Sequence, residues 1–511
     1  VSDAERSVRS ARWFASVRTA FSDRMVVVVG ASAVVVYLGT LWNGHALDDM
    51  IVIVRNPVIH SLSGLWRAFT QAYLGGQMYR PLAIASYVAD WPWHSAAWYH
   101  AVNVLWHAAA SVLTAVLARR WVGERGALAA GLLFAVHPVH VEAVANIVGR
   151  DELMAACFAV LAVYAALVRG SVGWSAAALS LGLLCKENAA VVPGLIVWGW
   201  VLGIGTERPP RRRITQFVGS WVVIAVLYGV VRWAVLRGNE DHGLAPVLVG
   251  QSGLTVRLTA LAALADVTRL LVFPLKLRID YSPDERTAVT SWGDGRVALG
   301  ALCVVLLVTL IVAAWRRGRR VEAFGLGWTA IALSPVANLL FPTGILVAER
   351  TLYLPSVGLV LAAGSWFARW SVPRAWLVAG AVLVAAGVRT ATRVPVWRTT
   401  YTAVLSILED SPRSYVGPMR MAGAYLDQHQ SERALDAARQ ALAIYRGDLT
   451  IYMSGAVAAF AAGRPATADS LLAELERSCP TCPGKYYHTE SEVLRRIGYP
   501  AEADSLDARV R

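Results

Sequence analysis

Charge is scarce in this chain. Only 16% of its 511 residues are Asp, Glu, Lys or Arg, against 56% apolar, which excludes an ordinary soluble enzyme, where charged residues are about a quarter. Lysine is nearly absent: it stands at positions 186, 276 and 485, and every other basic residue is arginine. With abundant Ala, Val and Gly, that bias points to a GC-rich bacterial source. Five cysteines are too few for a disulfide framework. Cys479 and Cys482 form a CPTC stretch with no second such pair, so a zinc ribbon is not supported and a local disulfide is expected. Cys157, Cys185 and Cys303 lie in or beside apolar runs and read as packing residues. The net charge of +13 builds no arginine-rich, aromatic-interleaved groove, so no nucleic-acid partner is expected.

Long apolar runs are what the chain has instead. Six uncharged stretches, at 25–41, 98–117, 153–168, 188–205, 214–231 and 297–314, come close to the roughly 20 residues that a bilayer requires. Shorter ones lie at 126–136, 174–184, 325–340, 355–368 and 375–388. Basic clusters mark the inner side: the N-terminal arginines, Arg119 and Arg120, Arg169, 208–213, 316–320 and 369–374. Eleven crossings satisfy all of them. The run at 254–273 carries Arg257, Asp266 and Arg269 and would reverse that count, so it reads as a helix on the outer surface. The leader, with Arg6, Arg9, Arg12, Arg18 and Arg24, has no small-residue cleavage pattern after its first span and is expected to stay attached.

The expected fold is therefore all-α and polytopic, in three parts: a cytoplasmic N-terminus at 1–24, a membrane domain at 25–394, and a helical domain at 395–511. In the last, Ala434, Ala468 and Ala503 recur at intervals near 34, as do Tyr452 and Tyr486, a tetratricopeptide-like (TPR-like) period. Coincidental Ala-rich helices are the alternative. By the parity of eleven crossings this domain lies outside, with loops 42–97, 137–152, 185–188, 232–253, 274–296 and 341–353. Almost every polar cluster falls in those loops, so the chemistry belongs to the extracytoplasmic face of a bacterial inner membrane.

Asp48 and Asp49 open the first outer loop. Adjacent acids usually diverge, so one can meet a substrate or metal while the other meets a neighbouring helix; a solvated turn is the plainer alternative. Further along, Arg80 and Asp90 could shape the loop against the bilayer. Asn103 and His107 sit four apart on one helix face, suited to packing or to substrate. His137, His140 and Glu142 lie with Arg150 at the outer end of a span, and Pro138 between the histidines denies them helical ligand spacing, which favours structural roles over metal ligation. Lys186 interrupts an apolar stretch beside Glu187, where an ion pair or a lipid phosphate would answer it. Asp280 follows the surface helix, and Glu349, Arg350 and Tyr353 open a late span. Arg350 is the first candidate for a phosphate, because a guanidinium binds two oxygens at once. A carboxylate base, cationic phosphate donors and an apolar groove together suit sugar transfer from a polyprenyl-phosphate carrier.

At these residues the chain resembles the transmembrane and tetratricopeptide-repeat-containing (TMTC) protein O-mannosyltransferases of the GT-C glycosyltransferase superfamily. The Asp48-Asp49 pair, YRPLAIASYVAD, HAVNVLWHA, FAVHPVHVEAVANIVGRDEL, LLCKENA, LRIDYS and FPTGILVAERTLYLPSVG carry the likeness, in that order, followed by repeats. The resemblance implies a GT-C fold, Asp48 or Asp49 as catalytic base, and inverting transfer of a lipid-linked sugar, mannose or another hexose, to Ser or Thr of an extracytoplasmic protein. Arg350, Lys186 and Arg150 as phosphate contacts are a physical inference beside it. The repeat region is shorter than the family's usual arrays. No cofactor is required by these residues; a divalent cation (Mg or Mn) at Asp49 is left open, as are a glycolipid or polysaccharide acceptor and a non-enzymatic scaffold.

Overall fold

The computed structural model describes residues 23–73, 78–205, 209–237, 243–370, 373–478, 487, 491–495 and 498–508. The CPTC cysteines, Tyr486, Arg208 and the arginines of 1–22 lie outside them. Helix dominates throughout, and among the described residues no strand forms beyond one isolated bridge between Tyr73 and Met78.

Among the described residues five helices are long and apolar enough to cross a membrane: Arg24–Trp42, Ala96–Val136, Arg211–Leu236, Gly295–Arg316 and Trp376–Trp397. That is fewer than eleven. The other apolar runs give shorter helices, Arg150–Leu167, Val172–Cys185, Val192–Leu202, Arg320–Leu333 and Tyr353–Phe367. Polar caps set where several of them begin. Ser95, Ser171 and Ser252 each accept a hydrogen bond from the backbone N–H three residues on, which satisfies one of the unpaired donors of a first helical turn.

Ala96–Val136 runs 41 residues but breaks at Gly123, whose φ of 70° is open to glycine at no steric cost. Its two halves fold back on one another: a Cβ placed on Gly131 would fall 2.7 Å from that of Ala115. The runs at 98–117 and 126–136 are thus a hairpin. Arg24–Tyr37 packs against it, and Tyr353–Phe367 packs against both it and Arg320–Leu333. Gly325 and Gly358 let the last two backbones touch, since a Cβ on Gly325 would lie 2.4 Å from the Gly358 carbonyl oxygen. Close approach through small residues is how helices associate where apolar burial gives no net drive.

After Trp397 the helices become short, several of them amphipathic: Thr400–Asp410, Val416–Asp427, Ser431–Ile444, Leu449–Ala461, Pro465–Ser478 and Pro500–Ala508. The first five pack as sequential neighbours, with Leu449–Ala461 buried almost all round. Ala434, Ala468 and Ala503 are fully buried where the helices meet, together with Tyr452. Polar contacts seat this group on the 280–285 segment. Ser414 donates to the Asp280 carboxylate at 2.6 Å, Ser411 donates to the Asp280 carbonyl at 2.9 Å, and the Arg413 N–H donates to Glu285 at 2.9 Å.

Candidate active site

The acid pair sits in an uncommon piece of backbone. Leu47 takes a φ of 50°, a left-handed conformation that a bulky side chain rarely adopts, and residues Met50–Val54 form one turn of π-helix. Both features are enriched at functional sites. The turn is held from two directions: the Leu47 N–H donates to Thr400 Oγ1 at 3.0 Å, and the Gly44 N–H donates to the Arg398 carbonyl at 2.9 Å.

The two carboxylates part company there. Asp49 is 1% exposed, and its oxygens accept from the Ala46 and Val148 N–H groups, each at 3.0 Å. It closes its own turn and ties the first loop to segment 146–149. Burial drives its carboxyl up to about 7, against the pull of those N–H donors and with a push from Asp48. Asp48 is half-buried and makes no side-chain hydrogen bond or ion pair among the described residues. Its charge acts on Tyr73 and on Arg350.

Arg350 lies within electrostatic reach of Asp48. Its backbone N–H donates to Glu142 Oε2 at 2.9 Å and its guanidinium pairs with Glu142 Oε1, while the side chain keeps 27% of its exposure. Burial opposes its charge, but Glu142 and then Asp48 more than offset that and hold it protonated. A cleft of about 170 Å³ reaches Arg350 between the 279–283 and 344–348 segments and the first C-terminal helices. Beside it, Glu349 accepts from the Arg278 N–H and from the Tyr281 hydroxyl. Burial, with Glu142 nearby, lifts the Glu349 carboxyl to about 8, so it is mostly neutral at pH 7.

Lys186 lies 3.2 Å from Asp151 and 2.9 Å from Glu152; Arg80 joins Asp151 to Glu187, and Arg232 completes the chain. Three cations and three anions balance in this network. Arg150, expected at a phosphate, is placed otherwise. It is fully buried, its three nitrogens donate to Asn103, Ser86, Asp90 and the Tyr99 carbonyl, and it lies over the Tyr87 ring. Every nitrogen of its guanidinium is engaged and the side chain has no exposure, so in this structure Arg150 braces the loop. Asn103 donates to the 146 and 147 carbonyls at 3.1 Å, and Asp90 also accepts from Trp98 at 3.0 Å. His107 and Tyr353 meet at 2.8 Å within the bundle, His140 meets Ser356 at 2.8 Å, and His137 meets the Leu271 carbonyl at 3.0 Å. These groups pack helices. Asp280 anchors the C-terminal helices through Ser411 and Ser414.

Among the described residues no group of three or more His, Cys, Asp or Glu is arranged to hold a metal. Asp49 already serves two N–H donors, and Asp48 alone is a thin ligand set for a hard cation that takes six or more oxygens. Tyr73 escaped the sequence reading. It is one aromatic in a long loop, brought to Asp48 by the chain's return, and nothing local marks it.

The chain is similar to protein O-mannosyl-transferases. It is 26% identical over 474 residues to Protein O-mannosyl-transferase TMTC3 of Homo sapiens, with 82% of this chain and 51% of that protein covered. Protein O-mannosyl-transferase TMTC4 of Homo sapiens is 29% identical, covering 65% and 54%, and Protein O-mannosyl-transferase F38B6.6 of Caenorhabditis elegans is 26% identical, covering 68% and 52%. The chain thus spans about half the length of these curated relatives. No family model and no solved structure matches it.

Proposed function

We propose that this chain is a multi-pass membrane glycosyltransferase of the GT-C type that moves a sugar, mannose by analogy with its relatives' names, from a polyprenyl-phosphate carrier to a Ser or Thr hydroxyl of an extracytoplasmic protein. Asp48 is the base. The observation that carries this is the asymmetry of the acid pair: Asp49 is engaged by two backbone donors, while Asp48 is half-buried, has no partner among the described residues and is within electrostatic reach of Arg350.

In this reading the acceptor oxygen attacks the anomeric carbon on the face opposite the phosphate. Its proton passes to Asp48 as the new C–O bond forms, and the bond from that carbon to the phosphate oxygen breaks with inversion. The departing polyprenyl phosphate takes the electron pair and is received by Arg350, which Glu142 holds in position. Lys186 and Arg80 lend a positive field from a network that is already balanced, so they are secondary. In this reading the basic clusters mark the inner side, so this chemistry and the C-terminal helices share the extracytoplasmic side, where the TPR-like helices offer an acceptor surface beside the Arg350 cleft.

The test is transfer by purified full-length protein from labelled polyprenyl-phosphate mannose, with Ser/Thr peptides and glycolipids offered separately. Labelled peptide, lost on Arg350→Ala, is the expected result. Label appearing only in lipid would replace the protein acceptor, and no transfer to either would remove the enzymatic reading.

A further inference from the structure

A second polar cavity, of about 490 Å³, lies beside the Arg350 cleft, where the 253–272 helix and the 284–287 turn meet the first turn of Gly295–Arg316. Its size falls within the roughly 300–1,000 Å³ of small-molecule sites. Four arginines and three acids line it, and most of these charges cancel internally. Arg286 grips Asp266 through two hydrogen bonds of 2.6 Å, Arg296 pairs with Asp294 and Thr287, and Glu285 is held by Arg278. Arg269 donates to the Lys276 carbonyl.

Two charges remain. Asp284 Oδ2 is shut off from water with no hydrogen-bond partner. The Arg413 side chain is exposed and its guanidinium makes no hydrogen bond or ion pair among the described residues, although its charge acts on Asp284. A cation and an anion thus line one cavity without closing a pair. The group that completes them carries both charges, a cation with N–H donors for Asp284 and an anion for Arg413. The surroundings say what such a group is attached to. Arg296 and Leu299 both line the cavity from the first turns of a candidate membrane span, and the exposed apolar side chains Leu299, Leu302, Leu306 and Leu310 continue down that span. From residue 296 to 310 that is about 21 Å at 1.5 Å per residue, a head-to-tail register for a lipid.

We propose that this cavity binds the headgroup of a zwitterionic phospholipid bearing a primary ammonium, of the phosphatidylethanolamine class, with the ammonium on Asp284, the phosphate on Arg413 and an acyl chain along the leucine row of Gly295–Arg316. The site adjoins the Arg350 cleft, with which it shares Leu346, but lipid binding there does not depend on the transfer reaction. A quaternary ammonium has no N–H to donate, so phosphatidylcholine fits the phosphate half only. Phosphatidylglycerol has no cation at all and places its glycerol against a carboxylate. Charge-assisted hydrogen bonds of this kind are worth about tenfold or more in affinity.

Native mass spectrometry of the full-length protein in detergent, titrated with phosphatidylethanolamine, phosphatidylcholine, phosphatidylglycerol and free phosphoethanolamine, tests this. Phosphatidylethanolamine is expected to bind about tenfold or more tightly than the other two lipids, and phosphoethanolamine weakly, for want of the tail. Asp284→Asn should abolish the preference for phosphatidylethanolamine over phosphatidylcholine, Arg413→Gln should weaken both, and Arg413→Lys should retain the preference. Neither unpartnered group contributes a hydrogen bond to the fold, so these variants are expected to melt as wild type does without lipid. Equal binding of the three lipids to wild type would overturn the proposal. So would a preference that survives Asp284→Asn, or phosphoethanolamine binding as tightly as the lipid.

Discussion

Replacing Asp49 with asparagine separates the structural half of the acid pair from the chemical half. In the folded protein its carboxyl is displaced from 3.8 to about 7, chiefly by burial. Between those values the folded state holds a proton that the unfolded state has released. Stability from this group is therefore fully present below pH 3.8 and is lost as pH rises through about 7. The full displacement is worth roughly 4 kcal/mol, and the part falling between pH 5 and pH 8 is roughly 2–3 kcal/mol. An asparagine side chain cannot ionise, so the variant lacks that part. It keeps an acceptor for one N–H and turns an amide toward the other, which costs about 1–3 kcal/mol at every pH. Thermal unfolding in detergent at pH 5 and pH 8 reads both effects. Asp49→Asn should be less stable than wild type at pH 5, and the deficit should shrink or vanish at pH 8. Glu349 contributes a slope of the same sign to both proteins and cancels in the difference. A deficit that is equal at the two pH values, or larger at pH 8, would refute the burial argument.

Other consequences are open to measurement. Arg150→Met leaves Asp90 buried without its cation and should destabilise the protein by about 3–5 kcal/mol, read as a lower melting temperature or lost expression. Glu349→Gln keeps an acceptor for Arg278 and Tyr281, so it should melt within about 1 kcal/mol of wild type near pH 4.5, where the wild-type carboxyl is still largely neutral in the folded state. Wild type should then weaken relative to the glutamine variant as pH rises from 4.5 through about 8, a contrast that melting curves at pH 5 and pH 9 resolve. Arg350→Lys keeps the charge but loses the planar fork, and steady-state kinetics should show transfer at least tenfold slower, with the expressed protein intact.

Much of the fold could be read from the chain because apolar length and capping residues are local signals. Each apolar run contributes helix, and the near-34 spacing picks out Ala434, Ala468 and Ala503, all buried between C-terminal helices. The count of membrane-length helices was less legible. The run at 325–340 leaves helix after Leu333, and the fold-back at Gly123 joins two runs. Site residues divide along the same line. That adjacent acids point apart follows from backbone geometry, but which one is buried depends on Val148, 99 residues away. Arg150 has the look of a phosphate ligand in sequence. Its partners Asn103, Asp90 and Tyr99 lie 47 to 60 positions back, and only the folded chain shows its donors engaged. His140 and Ser356 meet across 216 positions, beyond any local pattern.

The central claim is that Asp48 takes the acceptor's proton. Its most direct test is the rate of sugar transfer from a polyprenyl-phosphate donor by Asp48→Asn at saturating donor, with donor binding measured alongside. The account predicts a fall of about 10²–10⁴-fold with donor affinity and melting temperature unchanged. Transfer at the wild-type rate would contradict it and return the pair to a structural turn.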